Sequence, residues 1–337
     1  MADKRIRLGM IGAGIFAREA HMTSLNELRH LYDLVAVCSR TQASARARAD
    51  QWLANGTTRP DVHTDVAALL ARPDIDAVDI VLPINVMPNV VKQTLRAGKH
   101  VFSEKPIAPT VEEALQLLAI YQNHEPQVWM VGENWRYESA FRLAAETVLQ
   151  GAIGAPITCH FSAHVEMSPQ NRYWQTGWRR EWEFMGGWLL DFGVHHIAVL
   201  RAALGEVAAV QATATLANPF LKTLDTLAAT LRFESGVLGT YNLTCAANSQ
   251  WPPTFSVVGD NGSLSAQIGK IEVLADGDKR VIECPKRDGV AKEFDAFAQA
   301  ILHGQPHLNT PVSALRDVDV MEAMFQSVES GEQVQLV

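Results

Sequence analysis

Two short stretches of the chain hold side chains able to move a proton or steer an oxygen. In Gly186-Gly187-Trp188-Leu189-Leu190-Asp191-Phe192-Gly193-Val194-His195-His196, Asp191 and His195 stand four apart, a spacing that puts both on one helix face. A carboxylate beside an imidazole stabilises the protonated ring and fixes its orientation, which suits a base removing an alcohol proton. A surface i,i+4 pair worth a few tenths of a kcal/mol, roughly, has the same spacing. Spacing alone does not choose between them. The second stretch is Ser103-Glu104-Lys105-Pro106, directly after the apolar run from His100. A lysine there can hold a substrate hydroxyl, although a surface lysine before proline is equally ordinary.

A third motif says what such groups would work beside. Ile6 to Ile11 reads as a strand running into Gly12-Ala13-Gly14-Ile15-Phe16-Ala17, the GxGxxG/A pattern in the strand-turn-helix setting that gives it meaning. Gly12 allows the tight turn, Gly14 lets a pyrophosphate approach the backbone, and Ala17 lets the helix pack on the strand. The phosphates would sit at the helix N-terminus, where free N–H groups and the dipole favour anions. At the end of the second strand, where an NAD site usually carries Asp or Glu, stands Cys38-Ser39-Arg40-Thr41. Ser39 and Thr41 can donate to a 2′-phosphate and Arg40 can pair with it, so NADP is the expected cofactor and NAD the alternative. An exposed arginine indifferent to the cofactor is the competing reading.

The elements that must position these residues follow from patterning. Through about residue 122, short apolar runs (Ile6–Ile11, Leu34–Cys38, Val78–Leu82, His100–Ser103) alternate with amphipathic stretches. That rhythm specifies βαβ units and a doubly wound parallel sheet. From Ile157 onward come long β-prone runs at Val207–Leu216, Leu227–Phe233, Val237–Thr244, Phe255–Val258 and Ser263–Ile268, with tight turn signals between several of them. The expected fold class is α/β: a Rossmann domain over residues 1–125, then an α+β substrate and oligomerisation domain over 126–337 with a large, mostly antiparallel sheet. If residues 186–204 are helical, Leu190, Val194, Ile197, Leu200 and Leu204 form one core stripe, with Asp191 and His195 on the opposite side.

Composition excludes several classes. The chain has 337 residues, 47% hydrophobic and 20% charged, enough for two cores. A formal charge of -8 offers no basic stripe for a nucleic acid. No apolar run reaches the roughly 18 residues that a membrane span needs, so a cytoplasmic protein is expected. The four cysteines show no CxxC spacing, and His160, His164, His195 and His196 form no ligand motif, so no metal is expected.

The fingerprint, Glu104-Lys105-Pro106 and the Gly-Gly-x-Leu-Leu-Asp-x-Gly-x-His run, in this order, resemble the Gfo/Idh/MocA oxidoreductases. Ala97-Gly98-Lys99-His100-Val101, Glu133-Asn134-Trp135-Arg136-Tyr137, Glu293-Phe294 and Ser330-Gly331 extend the likeness over nearly the whole chain. The resemblance implies hydride transfer between a secondary alcohol of a sugar or polyol and nicotinamide. Lys105 would orient the substrate, His195 would be the acid/base and Asp191 its assistant. The implied cofactor contacts are Gly12, Gly14, Ile15, Phe16, Ser39, Arg40, Thr41, Pro83, Asn85, Glu104 and Lys105. Two positions depart from the family pattern. Ala198 stands where many members have an acid, and Pro83-Ile84-Asn85 lacks the histidine often found after that proline. Both bear on the substrate more than on the chemistry.

Arg136, Tyr137, Trp178 and His196 are the expected substrate contacts, with a structural role weighed for each. Trp174, Trp178 and Trp182 recur at helical spacing with Arg179 and Arg180 between them, a pattern that more often packs than binds. A homodimer or homotetramer through the second sheet is expected. A non-catalytic cofactor-binding regulator and a glycosidase using tightly held NAD are the other functions considered. A retained proton acceptor argues against the first, and the Ser39-Arg40 reading against the second.

Overall fold

The computed structural model describes residues 5–56, 58–124, 126–181, 184 and 186–336, and the chain divides into two units. One unit runs to Glu133 and also takes Val290–Leu315; the other comprises Asn134–Gly289 and Arg316–Val337.

The first unit begins with β1 (Ile6–Ile11) and a helical stretch over residues 15–27, whose middle, Ala17–His21, is a π turn and whose end is α1 (Met22–Glu27). There follow β2 (Tyr32–Cys38), α2 (Gln42–Leu53), β3 (Asp61–His63), α3 (Val66–Leu70), β4 (Ala77–Ile80), α4 (Met87–Arg96), β5 (His100–Glu104), α5 (Val111–Tyr121) and β6 (Trp129–Gly132). Thr41, Asp65 and Thr110 cap α2, α3 and α5 by accepting from backbone N–H groups of the first turn. The strands pair in parallel in the order β3-β2-β1-β4-β5-β6. This order reverses direction between β1 and β4, and a ligand of an open α/β sheet binds at the carboxyl edge beside such a reversal. β4, β5 and β6 are buried almost throughout, which explains their near-continuous apolar runs.

The second unit contains α6 (Ser139–Leu149), β7 (Pro156–His164), α7 (Gly187–Leu204), β8 (Val207–Thr215), β9 (Thr226–Phe233), β10 (Leu238–Thr244), β11 (Thr254–Gly259), β12 (Gly262–Gln267), β13 (Lys270–Ala275) and β14 (Asp278–Glu283). After α8 (Gly289–His303) and α9 (Pro311–Ser330), β15 (Val334–Gln335) pairs with β8. The nine strands run β14-β13-β12-β11-β7-β10-β9-β8-β15, antiparallel except for the β7/β10 pair. Burial alternates along β9: Leu227, Ala229, Leu231 and Phe233 face the core while Ala228, Thr230 and Arg232 face outward.

Three expectations change. The domain boundary lies beyond residue 125, because β6 completes the first sheet. Helix α8 belongs to the first unit: Val290, Phe294, Phe297 and Ala298 join the core of Leu8, Met10, Tyr32 and Phe102. There Phe294 stacks on Phe102 at 4.3 Å, and the Tyr32 hydroxyl donates to the Phe294 carbonyl. The third change is α7, which is buried nearly all round rather than along one stripe. Among the described residues, no helix is long and apolar enough to cross a membrane.

Candidate cofactor and catalytic residues

The carboxyl edge of the six-stranded sheet gathers the cofactor candidates. Ile11 pairs with Cys38 on one side and with Ile80 on the other, and Ile80 pairs with Ser103. Gly12–Phe16, Ser39–Thr41, Pro83–Asn85 and Lys105 therefore all leave the sheet at one edge. Gly12 has φ +113°, and a Cβ on it would stand 2.1 Å from the Val81 carbonyl oxygen, so no other residue fits. A Cβ on Gly14 would meet nothing within 4 Å. One glycine thus closes the turn against β4, and the other leaves open space at the start of the helix, where a diphosphate would be held by free N–H groups. Ala17 is fully buried. Ile15 is half-buried, and the Phe16 ring turns to His21 at 5.2 Å.

Ser39 accepts from the Ser44 hydroxyl, Thr41 caps α2, and Arg40 is exposed. Asp65 lies near enough for its charge to act on Cys38, but its carboxylate accepts from the Ala67 N–H as the cap of α3. Pro83 is half-buried and Asn85 exposed.

Glu104 departs from its expected role. Its carboxylate turns inward, where Oε1 lies 2.8 Å from Nε2 of His21. Nδ1 of the same ring lies 3.0 Å from both carboxylate oxygens of Asp79. His21 and Asp79 are fully buried, Glu104 nearly so. Burial alone would lower the His21 pKa, but the charge and hydrogen bonds of Asp79, followed by those of Glu104, outweigh it and raise it to about 10. Glu293, on α8, is held well above the usual carboxylate range by burial and then by the charge of Glu104. Its Oε2 accepts from Asn309. Neither His21 nor Asp79 was among the expected site residues. The signal was a carboxylate inside the apolar run Ala77-Val78-Asp79-Ile80-Val81, since a charge buried in a strand needs a partner. Lys105, half-buried, follows Glu104 directly, and its peptide bond to Pro106 is cis.

In the second unit α7 opens with Gly186 at φ +86°, where a Cβ would stand 2.3 Å from the Phe325 ring of α9. Gly186 is thus a packing requirement that sets the start of the helix. One turn on, Asp191 is 4% exposed and its Oδ2 accepts from Nε of Arg179 at 3.0 Å. His195 is half-buried, with its ring stacked on Trp135 at 5.3 Å and 16°. Trp135 in turn stacks on Phe141 of α6. The imidazole thus has a fixed plane, set by a partner that competes for neither nitrogen.

Two expected substrate contacts fall away. His196 is 1% exposed, stacks on Phe161 and bonds through Nδ1 to the Tyr241 hydroxyl, so it is a core residue. Arg136 is buried and pairs with Asp317, which also receives Arg201; Arg201 in turn holds Glu206 through two bonds. Tyr137 is half-buried. Trp178 is half-buried beneath the Arg179 guanidinium, 4.1 Å from its ring centroid. Among the described residues, Trp174 and Trp178 lie outside any α-helix: through residue 181 the segment is irregular apart from a 3₁₀ turn at Gly177–Arg179, and Trp174 packs on Phe220. Trp182 lies outside the described residues.

Comparison with known proteins agrees with the two-unit fold. Residues 6–132 match an oxidoreductase family described as having an NAD-binding Rossmann fold, and residues 145–336 match that family's C-terminal alpha/beta domain. Dehydrogenase FPY6 of Fusarium mangiferae is 32% identical over 98% of this chain and 99% of its own. A 1,5-anhydro-D-fructose reductase of Ensifer adhaerens is 30% identical over 77% of this chain and 74% of its own. The crystal structure of an oxidoreductase from Thermotoga maritima superposes with a TM-score of 0.91 at 34% identity, covering 98% of both chains. The chain belongs to the Gfo/Idh/MocA oxidoreductase family.

Proposed function

We propose that the protein is an NADP-preferring dehydrogenase or reductase acting on a secondary alcohol of a sugar or polyol. The observation that carries the reading is the contrast at the fingerprint. Gly12 is closed on Val81 while Gly14 opens onto free space, at the sheet edge that also presents Lys105. The family supports an NAD(P)-binding oxidoreductase, and a relative named for an anhydro sugar supports the substrate class.

In this reading the backbone of Gly14, Ile15 and Phe16 holds the diphosphate, and Ser39, Arg40 and Thr41 meet the 2′-phosphate. Bound nicotinamide supplies or accepts the hydride. Lys105 donates to the substrate oxygen and orients the carbon that bears it. His195 takes the hydroxyl proton during oxidation and returns it during reduction, its plane held by Trp135. Asp191, one turn earlier on α7, adds negative charge that favours the imidazolium, a charge shared with Arg179. Tyr137 and Trp178 remain the proposed substrate contacts. A second copy of the chain is proposed to cover the outer face of the nine-stranded sheet.

The test is near-ultraviolet absorbance of reduced nicotinamide, with NADP⁺ or NAD⁺, against a panel of aldoses, polyols, inositols and sugar acids. Lys105→Ala and His195→Ala are each expected to lower kcat by about 10²–10⁴-fold while the cofactor still binds. Cofactor binding with no turnover across the panel in either direction would sink the dehydrogenase reading in favour of a regulator.

A further inference from the structure

We propose that His21 is a positioning residue for Lys105: an imidazolium clamped between the carboxylates of Asp79 and Glu104 that fixes the last residue of β5 and hence the direction in which Lys105 leaves the sheet. The proposal rests on the reading of Lys105 as the group that orients substrate.

Ring geometry calls for a second proton; burial and the Glu104 charge raise the Asp79 carboxyl as well, but His21, raised by both carboxylates together, is the group that carries it. Both nitrogens of His21 face carboxylate oxygens at 2.8–3.0 Å. A neutral imidazole has one N–H and one lone pair, so one of its nitrogens would confront a carboxylate with no proton between them. A second proton turns both contacts into charge-assisted hydrogen bonds. The charged groups around the ring are Asp79 on β4, Glu104 on β5 and Glu293 on α8, and Glu133, just past β6, acts on Glu293. Burial and then the Glu104 charge hold the Glu293 carboxyl well above the usual carboxylate range, which opposes a third negative charge against the pair. The rings of Phe16, Phe102 and Phe294 close around the imidazole edge-on at 5.2–5.8 Å, leaving it no alternative orientation.

Burying this many charges costs free energy that an apolar cluster would not, so the arrangement calls for a purpose beyond stability. Its position supplies one. His21 ends the π turn of the helix whose N-terminus faces the proposed diphosphate, and π turns inside helices recur at functional sites. Asp79 lies mid-strand in β4, and Glu104 is the final residue of β5, immediately before Lys105. The clamp therefore ties the cofactor-binding helix, β4 and β5 together at the carboxyl edge. Glycine turn and lysine share one frame of reference, and a misplacement of about 1 Å in such a frame can cost 10²-fold in rate.

Two measurements test this. In the wild-type protein labelled with ¹⁵N-histidine, one of the eleven histidines should stay protonated on both nitrogens at about pH 8, where an ordinary imidazole is neutral. If every histidine is singly protonated there, the clamp is overturned without recourse to any variant. In kinetics, Glu104→Ala should lower kcat by about 10–100-fold, with the cofactor KM within about twofold. Glu104→Gln, whose amide oxygen still accepts from His21, should recover kcat to within about threefold. A residue that served stability alone would move the melting temperature and leave kcat of the folded fraction unchanged. Lys105→Ala runs in parallel. If it loses turnover while Glu104→Ala keeps it, the clamp is refuted and the reading of Lys105 stands. If Lys105→Ala keeps wild-type turnover, the reading of Lys105 has failed, and the proposal falls with it.

Discussion

At the scale of the residue, a proton on Glu293 changes how stability responds to pH. The folded chain holds that proton well above the ordinary 4.5, whereas an unfolded glutamate releases it there. Over the interval between, the native state binds more protons, so stability falls as pH rises through it. His21 has the same sign between 6.5 and about 10. Glu293→Gln mimics the protonated acid and abolishes the first slope alone. Its melting temperature is therefore expected to gain on wild type as pH rises from about 5 to about 8, as read by calorimetry. A constant difference across that range would show that Glu293 is already ionised. Arg40 carries the second expectation at this scale. If Arg40 meets the 2′-phosphate as proposed, Arg40→Ala removes a charge-assisted contact worth about 1.5–3 kcal/mol, so the KM for NADP⁺ should rise tenfold or more while that for NAD⁺ stays level. Lys105, Asp191 and His195 could be singled out from the sequence because their motifs are local, and their proposed roles rest on the variants described above. His21, Asp79 and Glu104 were not read together, because the three are joined only when β1, β4 and β5 become neighbours. His196 was misread for the complementary reason. Its ring occupies a core place among Phe161, Trp135 and Tyr241 that no local spacing reveals.

At the scale of the element, the two fingerprint glycines should fail in different ways. Gly12→Ala sets a Cβ against the Val81 carbonyl in a backbone region unfavourable to L residues, so a loss of more than about 1–3 kcal/mol of stability is expected. Gly14→Ala meets nothing, so its melting temperature should match wild type while cofactor affinity falls about tenfold or more. Equal cofactor affinity in Gly14→Ala and wild type would remove the diphosphate from that place. β1, β2, β4 and β5 were readable because their burial gives near-continuous apolar runs, and β8 to β12 because β-prone runs are set apart by turn signals, whereas β6 was not marked. β14 was not marked, since all six of its residues are exposed and nothing alternates. β3 is three residues long. The spacing of Ala140, Phe141, Ala144, Ala145 and Val148 in α6 is helical, but the patterning above did not single it out. For the tryptophan segment the failure was one of period: spacing suggested a helix, whereas Trp174 finds its partner across the fold in Phe220.

At the scale of the whole molecule, the outer face of the nine-stranded sheet bears on assembly. Leu238, Thr158 and Val258 stand in one row across β10, β7 and β11, and Thr240, His160 and Ser256 form the next. Leu238 and Val258 are 59% and 47% exposed, apolar side chains on a sheet face of the kind that packs against another sheet. Leu238→Arg together with Val258→Arg is expected to shift the light-scattering mass from an oligomer to a monomer of 37.0 kDa. A monomeric wild type would remove the proposed second copy. The α/β class and the order of the domains were legible from the change of rhythm along the chain. The allocation of α8 was not, since an amphipathic helix does not record which core its apolar face will join.

That allocation also sets a schedule for synthesis. Phe294 and Phe297 fill the core of the first unit, yet they emerge only after the whole of Asn134–Gly289 has been translated. At about 5–20 residues per second, the six-stranded sheet waits roughly 8–30 s for its last helix. During that interval Phe102 and Tyr32 lack the ring that later covers them, so the nascent chain presents a sticky aromatic surface to any holdase nearby. A fragment ending near Glu133 would stay in that condition indefinitely. The cofactor half of this enzyme cannot be obtained by cutting the gene in two; it would need Val290–Leu315 joined back to it.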